Sequence, residues 1–292
     1  MELAQIQNEL RKRLGDRHSY YANWLERCQS LSEVLAWVAQ SCPVLGADLV
    51  FSGDLLLSLF TQAQLDGARV FVRRPGQGLL MPEKQGVSGF YSVFGGQVSQ
   101  HDHTLHGSFF EGAVAEVKAG HACFYHQTSG TLTGPSVGHI YKNARVTALG
   151  GSSAYFFNQA TGVGKDQSHV VCMGYSAVEL YDQSFGLAIE HSKLTYHDHS
   201  RGRVMGKSIC LCRDNCSVTF GEEATGLILS ADKIEATGKN RLYRFSSKCS
   251  VSASRTTTQQ VLNSKDQERW VAAYEAYQPT PGKEWVVPSE LG

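Results

Sequence analysis

An eight-residue repeat runs through the middle of this 292-residue chain and restricts the folds open to it. When the sequence is cut at every eighth residue from Thr104, the first residue of each block is small and neutral at every cut except the last. The cuts fall at Thr104, Gly112, Gly120, Thr128, Ser136, Ala144, Ser152, Ala160, Ser168, Ser176, Ser184, Ser192, Ser200, Ser208, Cys216, Ala224 and Asp232. A fixed short period is typical of a coiled repeat architecture.

Residue types also alternate inside each block. The third and fifth positions are mostly apolar, as at Ala154 and Phe156, and the seventh is often Gly, Asn, Asp or Glu, as at Asn158. Alternate apolar residues followed by a turn former describe a short strand with one buried side and then a corner. The repeat therefore predicts short strands wound into a parallel β-solenoid.

A longer period overlies the octads. Large fifth-position residues recur in every third octad, at Leu132, Phe156, Leu180, Val204 and Ile228, and third-position glycines recur at Gly138, Gly162 and Gly186. If like residues stack between layers, three octads complete one turn. The predicted fold is mainly β: a three-sided parallel β-helix with eight-residue strands and a 24-residue turn.

This pattern resembles the octad-repeat β-solenoids of bacterial and phage proteins, over about half of the chain. The resemblance implies the parallel β-helix architecture and a bacterial or phage origin. It carries no catalytic residues.

The flanking regions have a helical texture. Residues 2–14 place Leu3, Ile6 and Leu10 at helical spacing, and Ser30 begins a later helix expected to end before Pro43. Residues 47–67 fit either a helix or the first coil, and we favour a helix. The predicted domains are a helical region at 1–67, the β-helix at 68–250, and a C-terminal region at 251–292. The terminal helices, including one at 264–277, are expected to cap the solenoid, whose bare strand edges would aggregate.

Composition narrows the class of partner. Lys plus Arg and Asp plus Glu both number 27, and this balance counts against nucleic acid or an anionic membrane as the partner. No apolar run is long enough to cross a bilayer. The polar N-terminus does not fit a secretory signal, and the eight cysteines form no compact disulfide framework. We therefore expect a cytoplasmic location, in a bacterium or a phage-infected cell.

Two histidine motifs are the candidates for metal binding, and both are weak. "QHDHT" contains His101 and His103, and "YHDHS" contains His197 and His199, but no third or fourth ligand is evident beyond the intervening aspartate. Their better interpretation is two corners of the coil filled alike. No catalytic residue, cofactor or metal is predicted, and a non-enzymatic protein is favoured. The alternative is a glycan-active or glycan-binding β-helix protein.

Outward positions on one side of the predicted coil are unusually apolar. A solvent-exposed stripe of this kind is typical of a binding surface. The predicted binding face comprises Phe109, Tyr155, Phe157, Tyr181, Met205, Leu227 and Leu229. It suggests an interaction module, inhibitor or assembly scaffold that binds a protein partner or a second copy of itself as a homo-oligomer. The competing interpretation is that a terminal helix or the tail folds back over the stripe.

Overall fold

The computed structural model describes residues 1–81, 89–245, 249–286 and 288, apart from the side chain of residue 264. The chain divides into two compact units, Met1–Gly130 and Thr131–Gly292. The finer division at residues 67 and 250 stays a prediction. No helix in the described ranges has the length and apolar character needed to cross a membrane.

Helices form the start of the first unit. They are α1 (Leu3–Leu14), α2 (Ser19–Leu25), α3 (Leu31–Ala47), α4 (Gly53–Leu59) and α5 (Gln62–Gly67). The helical interpretation of residues 47–67 is thus confirmed: side chains of Ser52 and Thr61 accept the capping hydrogen bonds of α4 and α5. The expected end before Pro43 is wrong. Trp37 and Leu45, on either side of the proline, are fully buried, and this packing holds α3 together across the missing backbone donor.

Short strands follow from residue 70 to residue 261. In the first unit they are β1 (Val70–Val72), β2 (Gly78–Leu80), β3 (Gly89–Phe94), β4 (Gln97–Gln100), β5 (Leu105–Phe110), β6 (Val114–Val117) and β7 (Gly120–Tyr125), and β8 (Ser129–Leu132) lies at the boundary. In the second unit they are β9 (Ser136–Tyr141), β10 (Arg145–Ala148), β11 (Ser153–Phe157), β12 (Thr161–Gly164), β13 (His169–Met173), β14 (Ala177–Leu180), β15 (Phe185–Ala188), β16 (Lys193–Tyr196), β17 (Arg201–Val204), β18 (Ile209–Cys212), β19 (Ser217–Gly221), β20 (Thr225–Ile228), β21 (Lys233–Thr237), β22 (Arg241–Arg244), β23 (Ser250–Ala253) and β24 (Thr258–Val261).

The strands of the second unit form two parallel sheets, so the parallel β-solenoid is confirmed and its three-sided form is wrong. Odd-numbered strands pair with odd-numbered strands and even with even. Ser153 pairs with His169 and Thr161 pairs with Ala177. Each turn therefore takes two octads rather than three.

Interior packing explains the misleading three-octad series. In a two-sheet coil, the large residues at Leu132, Phe156 and Leu180 lie alternately on an even and an odd strand, so they do not stack. Each instead fills its own layer against a glycine. A Cβ added to Gly162 would overlap the Phe156 ring, and one added to Gly186 would overlap the Leu180 side chain. Close packing leaves room for only one large residue at each level of the interior. The three-octad series therefore reflects which residues share a level, and not which residues stack on one another.

The corners follow the repeat as predicted. Seventh-position residues such as Asp166, Asp182, Asp198 and Asp214 have φ values between 53° and 59°, in the left-handed region that a tight corner needs. The carboxylate of Asp182 also accepts a hydrogen bond from the backbone N–H of Asp166 in the preceding turn. The corner position therefore selects residues that tolerate positive φ and bond to the neighbouring coil.

One turn of the first unit is a residue short. His106 of β5 pairs with His121 of β7, and Phe109 pairs with Phe124, so each pair is separated by one residue less than two octads. Because side chains alternate between the two sides of a strand, this shift turns Phe109 inward. Phe109 is fully buried, so its expected exposure is wrong.

The C-terminal helix is present as α6 (Gln267–Ala276), after a 3₁₀ turn at residues 264–266. Its Trp270 and Tyr274 belong to a hydrophobic cluster with outward-facing residues of the even strands, including Leu211, Leu227 and Tyr243. The helix thus lies against the outer side of the even sheet of the second unit rather than over the end of the strand stack.

Candidate protein-interaction face

The outer side of the odd sheet in the second unit carries two adjacent apolar columns, which we call the odd face. Outward residues at equivalent positions of consecutive strands lie above one another because the pairing register is constant from β9 to β17. The odd face comprises Tyr141, Phe157, Met173, Ile189 and Met205 in one column, and His139, Tyr155, Val171, Leu187 and Arg203 in the other, with Phe185 beside them.

Aromatic rings at one end of the odd face are stacked along the columns. The ring centroids of Tyr141 and Phe157 are 4.8 Å apart with an interplanar angle of 11°, and those of His139 and Tyr155 are 5.1 Å apart at 13°. Stacking places the ring faces against one another. The rings therefore present their edges outward.

The apolar side chains of the odd face remain accessible to solvent. The half-buried side chains of the odd face are those of Tyr155, Phe157, Met173, Leu187, Ile189 and Met205. Phe185 is 39% exposed. Contact between these hydrophobic side chains and water is unfavourable, and a surface that covers them would gain the free energy of burying them.

Two arginines lie at the β17 end of the odd face. Arg201 and Arg203 are both exposed, and within the described ranges no side-chain hydrogen bond or ion pair engages either guanidinium. The next cation along the odd sheet is Lys233, whose Nζ lies 2.6 Å from Oε1 of Glu235 in an ion pair. The apolar columns thus end in a small, uncompensated positive region.

The outer side of the even sheet in the same unit is covered from β16 to β22. Its outward residues Leu211 and Leu227 are fully buried beneath α6, and Tyr243 packs against Trp270 with ring centroids 4.7 Å apart. Trp285, beyond the helix, lies 5.9 Å from Trp270 and extends the cluster. The chain itself therefore covers the outward apolar residues Leu211, Leu227 and Tyr243 of this sheet.

Lys193 anchors the C-terminal end of α6. Its ammonium donates to the backbone carbonyls of Glu275 at 3.1 Å and Tyr277 at 2.7 Å, and it lies 4.6 Å from the centroid of the Tyr274 ring. A cation at this end favours the negative end of the helix dipole. Burial lowers the pKa of Lys193 to about 8.

A polar groove of about 670 Å³ lies beside the end of α6, and its titratable side chains engage one another. The Tyr181 hydroxyl donates to Glu179 at 2.6 Å; this hydrogen bond, with burial, raises the pKa of Tyr181 to about 12. The Tyr181 ring stacks on the His197 ring with centroids 4.4 Å apart. Burial and the positive charge of Arg213 lower the pKa of His197. Arg213 in turn pairs with Glu275.

The predicted binding residues do not form one face. Tyr155, Phe157 and Met205 lie on the odd face. Tyr181 lies in the groove at the corner after β14, whereas Leu227 and Leu229 pack beneath α6 and Phe109 is interior. The three-octad register mixed the two sheets, and the competing interpretation, cover by a terminal helix, holds for Leu227 and Leu229. Met173 and Phe185 were missed, although a two-octad register would have found them.

The four candidate metal-binding histidines are placed apart from any ligand cluster. No group of three or more His, Cys, Asp or Glu side chains in the described parts of the chain could hold a metal ion. Asp102 instead accepts hydrogen bonds from Thr104, which lower its pKa, and His103 is largely exposed nearby; His101 is half-buried. His197 is in the groove and His199 is exposed. Cys210, Cys212 and Cys216 are buried thiols, as their repeat positions predict.

The chain matches no protein-family model, no curated protein and no solved structure. Its function is therefore argued from its own geometry.

Proposed function

We propose that the protein is a binding module that associates with a protein partner through the odd face. One observation carries the proposal: the second unit buries the outward residues Leu211, Leu227 and Tyr243 of its even sheet under α6, but leaves the apolar columns of its odd sheet only partly buried. The strands β9 to β17 span about 19 Å along the stack, which gives a patch of roughly 400 Å². A patch of this size on a monomer is often functional and suits a modest interface.

The charge at the edge of the odd face indicates the chemistry of the partner. Arg201 and Arg203 favour a partner whose apolar contact residues are accompanied by carboxylates or other negative groups. A second copy fits less well. A two-fold axis across the stack would place these arginines against the aromatic end of a second copy, where outward ring edges are the positive part of each ring. A two-fold axis along the stack would place them against the arginines of that copy.

Ring orientation favours protein over glycan as the ligand of this face. Sugar rings bind aromatic side chains by lying on their faces. A stacked ring covers one face of Tyr155 and of Phe157, and Val171 and Met173 on the next strand follow them in their columns. Outward edges and flexible methionines such as Met173 and Met205 suit the irregular apolar surface of a protein. The groove beside α6 offers no stronger argument, because Tyr181 already binds Glu179 and Arg213 already pairs with Glu275 there.

The test measures binding by the full chain with substitutions on each face. A protein captured on the immobilised chain from cells of its source is purified, and its affinity is measured by calorimetry. We expect Phe157→Asp to weaken binding at least tenfold, because a carboxylate would be placed within the apolar contact. Val163→Asp, a half-exposed valine on the outer side of β12, is the matched control and should bind like the unmodified chain.

Circular dichroism and urea unfolding establish that each variant is folded, and Leu187→Asp replaces Phe157→Asp if the latter is not. Unchanged affinity in the odd-face variants, or an equal loss in Val163→Asp, would contradict the proposal. Sedimentation of the purified chain tests self-association: a dimer that Phe157→Asp dissociates would make a second copy the occupant and contradict the choice of a different partner.

A further inference from the structure

The helix α6 shows how an outer face of this solenoid is covered. Trp270 contacts Tyr243 on β22, Tyr274 donates to the carbonyl of Leu194 on β16 at 2.6 Å, and the carbonyl of Tyr277 accepts from Lys193, also on β16. The start of α6 therefore meets β22, and its end meets β16. The helix lies across the strands, along the direction in which they stack.

The dimensions of helices and stacked strands explain this orientation. One turn of an α-helix rises about 5.4 Å, and neighbouring strands are about 4.8 Å apart. A helix that lies along the stack thus offers about one apolar side chain per turn to each strand it crosses. Its partner surface is a pair of side-chain ridges about 7 Å apart, because outward residues on one strand are two positions apart.

The first unit covers its odd sheet with helices as well. Phe94 and Phe110 point outward from β3 and β5 and stack with centroids 4.9 Å apart, yet both are fully buried. They belong to the cluster formed by α1 to α5, and Gly46 of α3 approaches so closely that an added Cβ would lie 2.8 Å from the Phe110 ring. Helices cover outward apolar columns on both kinds of sheet.

The odd face of the second unit has the same two ridges and a cation at one end. Its column from Tyr141 to Met205 crosses five strands, or about 19 Å, which corresponds to about 13 helical residues. Lys193 lies beside the negative end of the dipole of α6. Arg201 and Arg203 at the β17 end would lie in the same way beside the C-terminal end of a helix on the odd face.

We infer that the partner contacts the odd face through an amphipathic α-helix of about 13 residues that lies along the stack, with its C-terminal end beside Arg201 and Arg203. This inference rests on the proposed function and specifies the partner's contact element. Apolar residues at positions i, i+4, i+7 and i+11 of that helix enter the furrow between the Tyr155 and Phe157 columns.

Two synthetic peptides of identical composition test this inference. Both contain leucine, glutamate, lysine and alanine, carry fluorescein and have a length of about five helical turns. One places leucine at the helical period, and the other places leucine at every second position, which is the strand period. Fluorescence anisotropy with the full chain measures binding. We expect the helical peptide to bind the unmodified chain and Val163→Asp alike, and Phe157→Asp at least tenfold more weakly.

Orientation is tested with the helical peptide ending in a free carboxylate or in an amide. The carboxylate should strengthen binding to the unmodified chain about threefold, and this gain should disappear in Arg203→Glu. Preferential binding of the strand-period peptide, no binding by either peptide, or insensitivity to Phe157→Asp would overturn the inference. If the captured partner still loses affinity in Phe157→Asp, the proposed function stands while the helical contact fails.

Discussion

In the second unit, apolar outward residues occur on both the even sheet and the odd sheet but have different surroundings. Leu211, Leu227 and Tyr243 lie under α6, whereas Tyr155 and Phe157 are half-exposed. Lys193 on the covered part of the even sheet binds helix carbonyls, whereas no side-chain hydrogen bond or ion pair engages the Arg203 guanidinium among the residues that the structure describes. This difference supports the proposal that another molecule covers the odd face.

The largest expected contrast is in stability. Trp270→Ala should lower the free energy of unfolding by about 3–5 kcal/mol, because it removes a large side chain that is 3% exposed and packs on Tyr243. Tyr155→Ala should cost less than about 1 kcal/mol, because its site is half-exposed. Urea unfolding followed by circular dichroism measures both. Equal costs would show that the two faces do not differ in packing.

A smaller contrast concerns pH. Burial lowers the pKa of Lys193 to about 8 from its ordinary value of 10.5. Between these pH values the unfolded chain binds more protons than the folded chain at this site, so the stability contributed by Lys193 rises with pH there and is constant outside that window.

The measurement compares Lys193→Met with the unmodified chain. The difference in unfolding free energy should grow in favour of the unmodified chain by about 1 kcal/mol per pH unit between about pH 8 and 10. Arg203→Met, on the exposed face, is the control. Its unfolding free energy should change with pH in the same way as that of the unmodified chain. Parallel curves for all three proteins would rule out a desolvated Lys193 at the end of α6.

The sequence was sufficient for the repeat unit but not for the number of sheets. Octad positions correctly assigned Ala154 and Phe156 to the interior and Asp198 to a corner, because strand alternation and turn chemistry are local. The number of strands per turn depends on which distant residues share a layer, and the pairing of Phe156 with Gly162 mimics a different period.

The candidate site was predicted only in part for the same reason. Phe157 and Met205 were found because outward positions follow from the octad alone. Phe109 was misplaced by a turn that is one residue short, which no local signal marks. The cover over Leu227 depends on a helix much later in the chain, and sequence spacing does not show which face a distant helix chooses.

Site-specific photo-crosslinking tests the central claim most directly. A benzophenone amino acid placed at Leu187 on the odd face, and separately at Val163 on the even side, is activated in cells of the protein's source, and adducts are mapped by mass spectrometry. We expect a single predominant adduct at Leu187, to an amphipathic helix of another protein, and none of comparable yield at Val163. Adducts of equal yield at both positions, or none at Leu187, would contradict completion of the odd face by a partner.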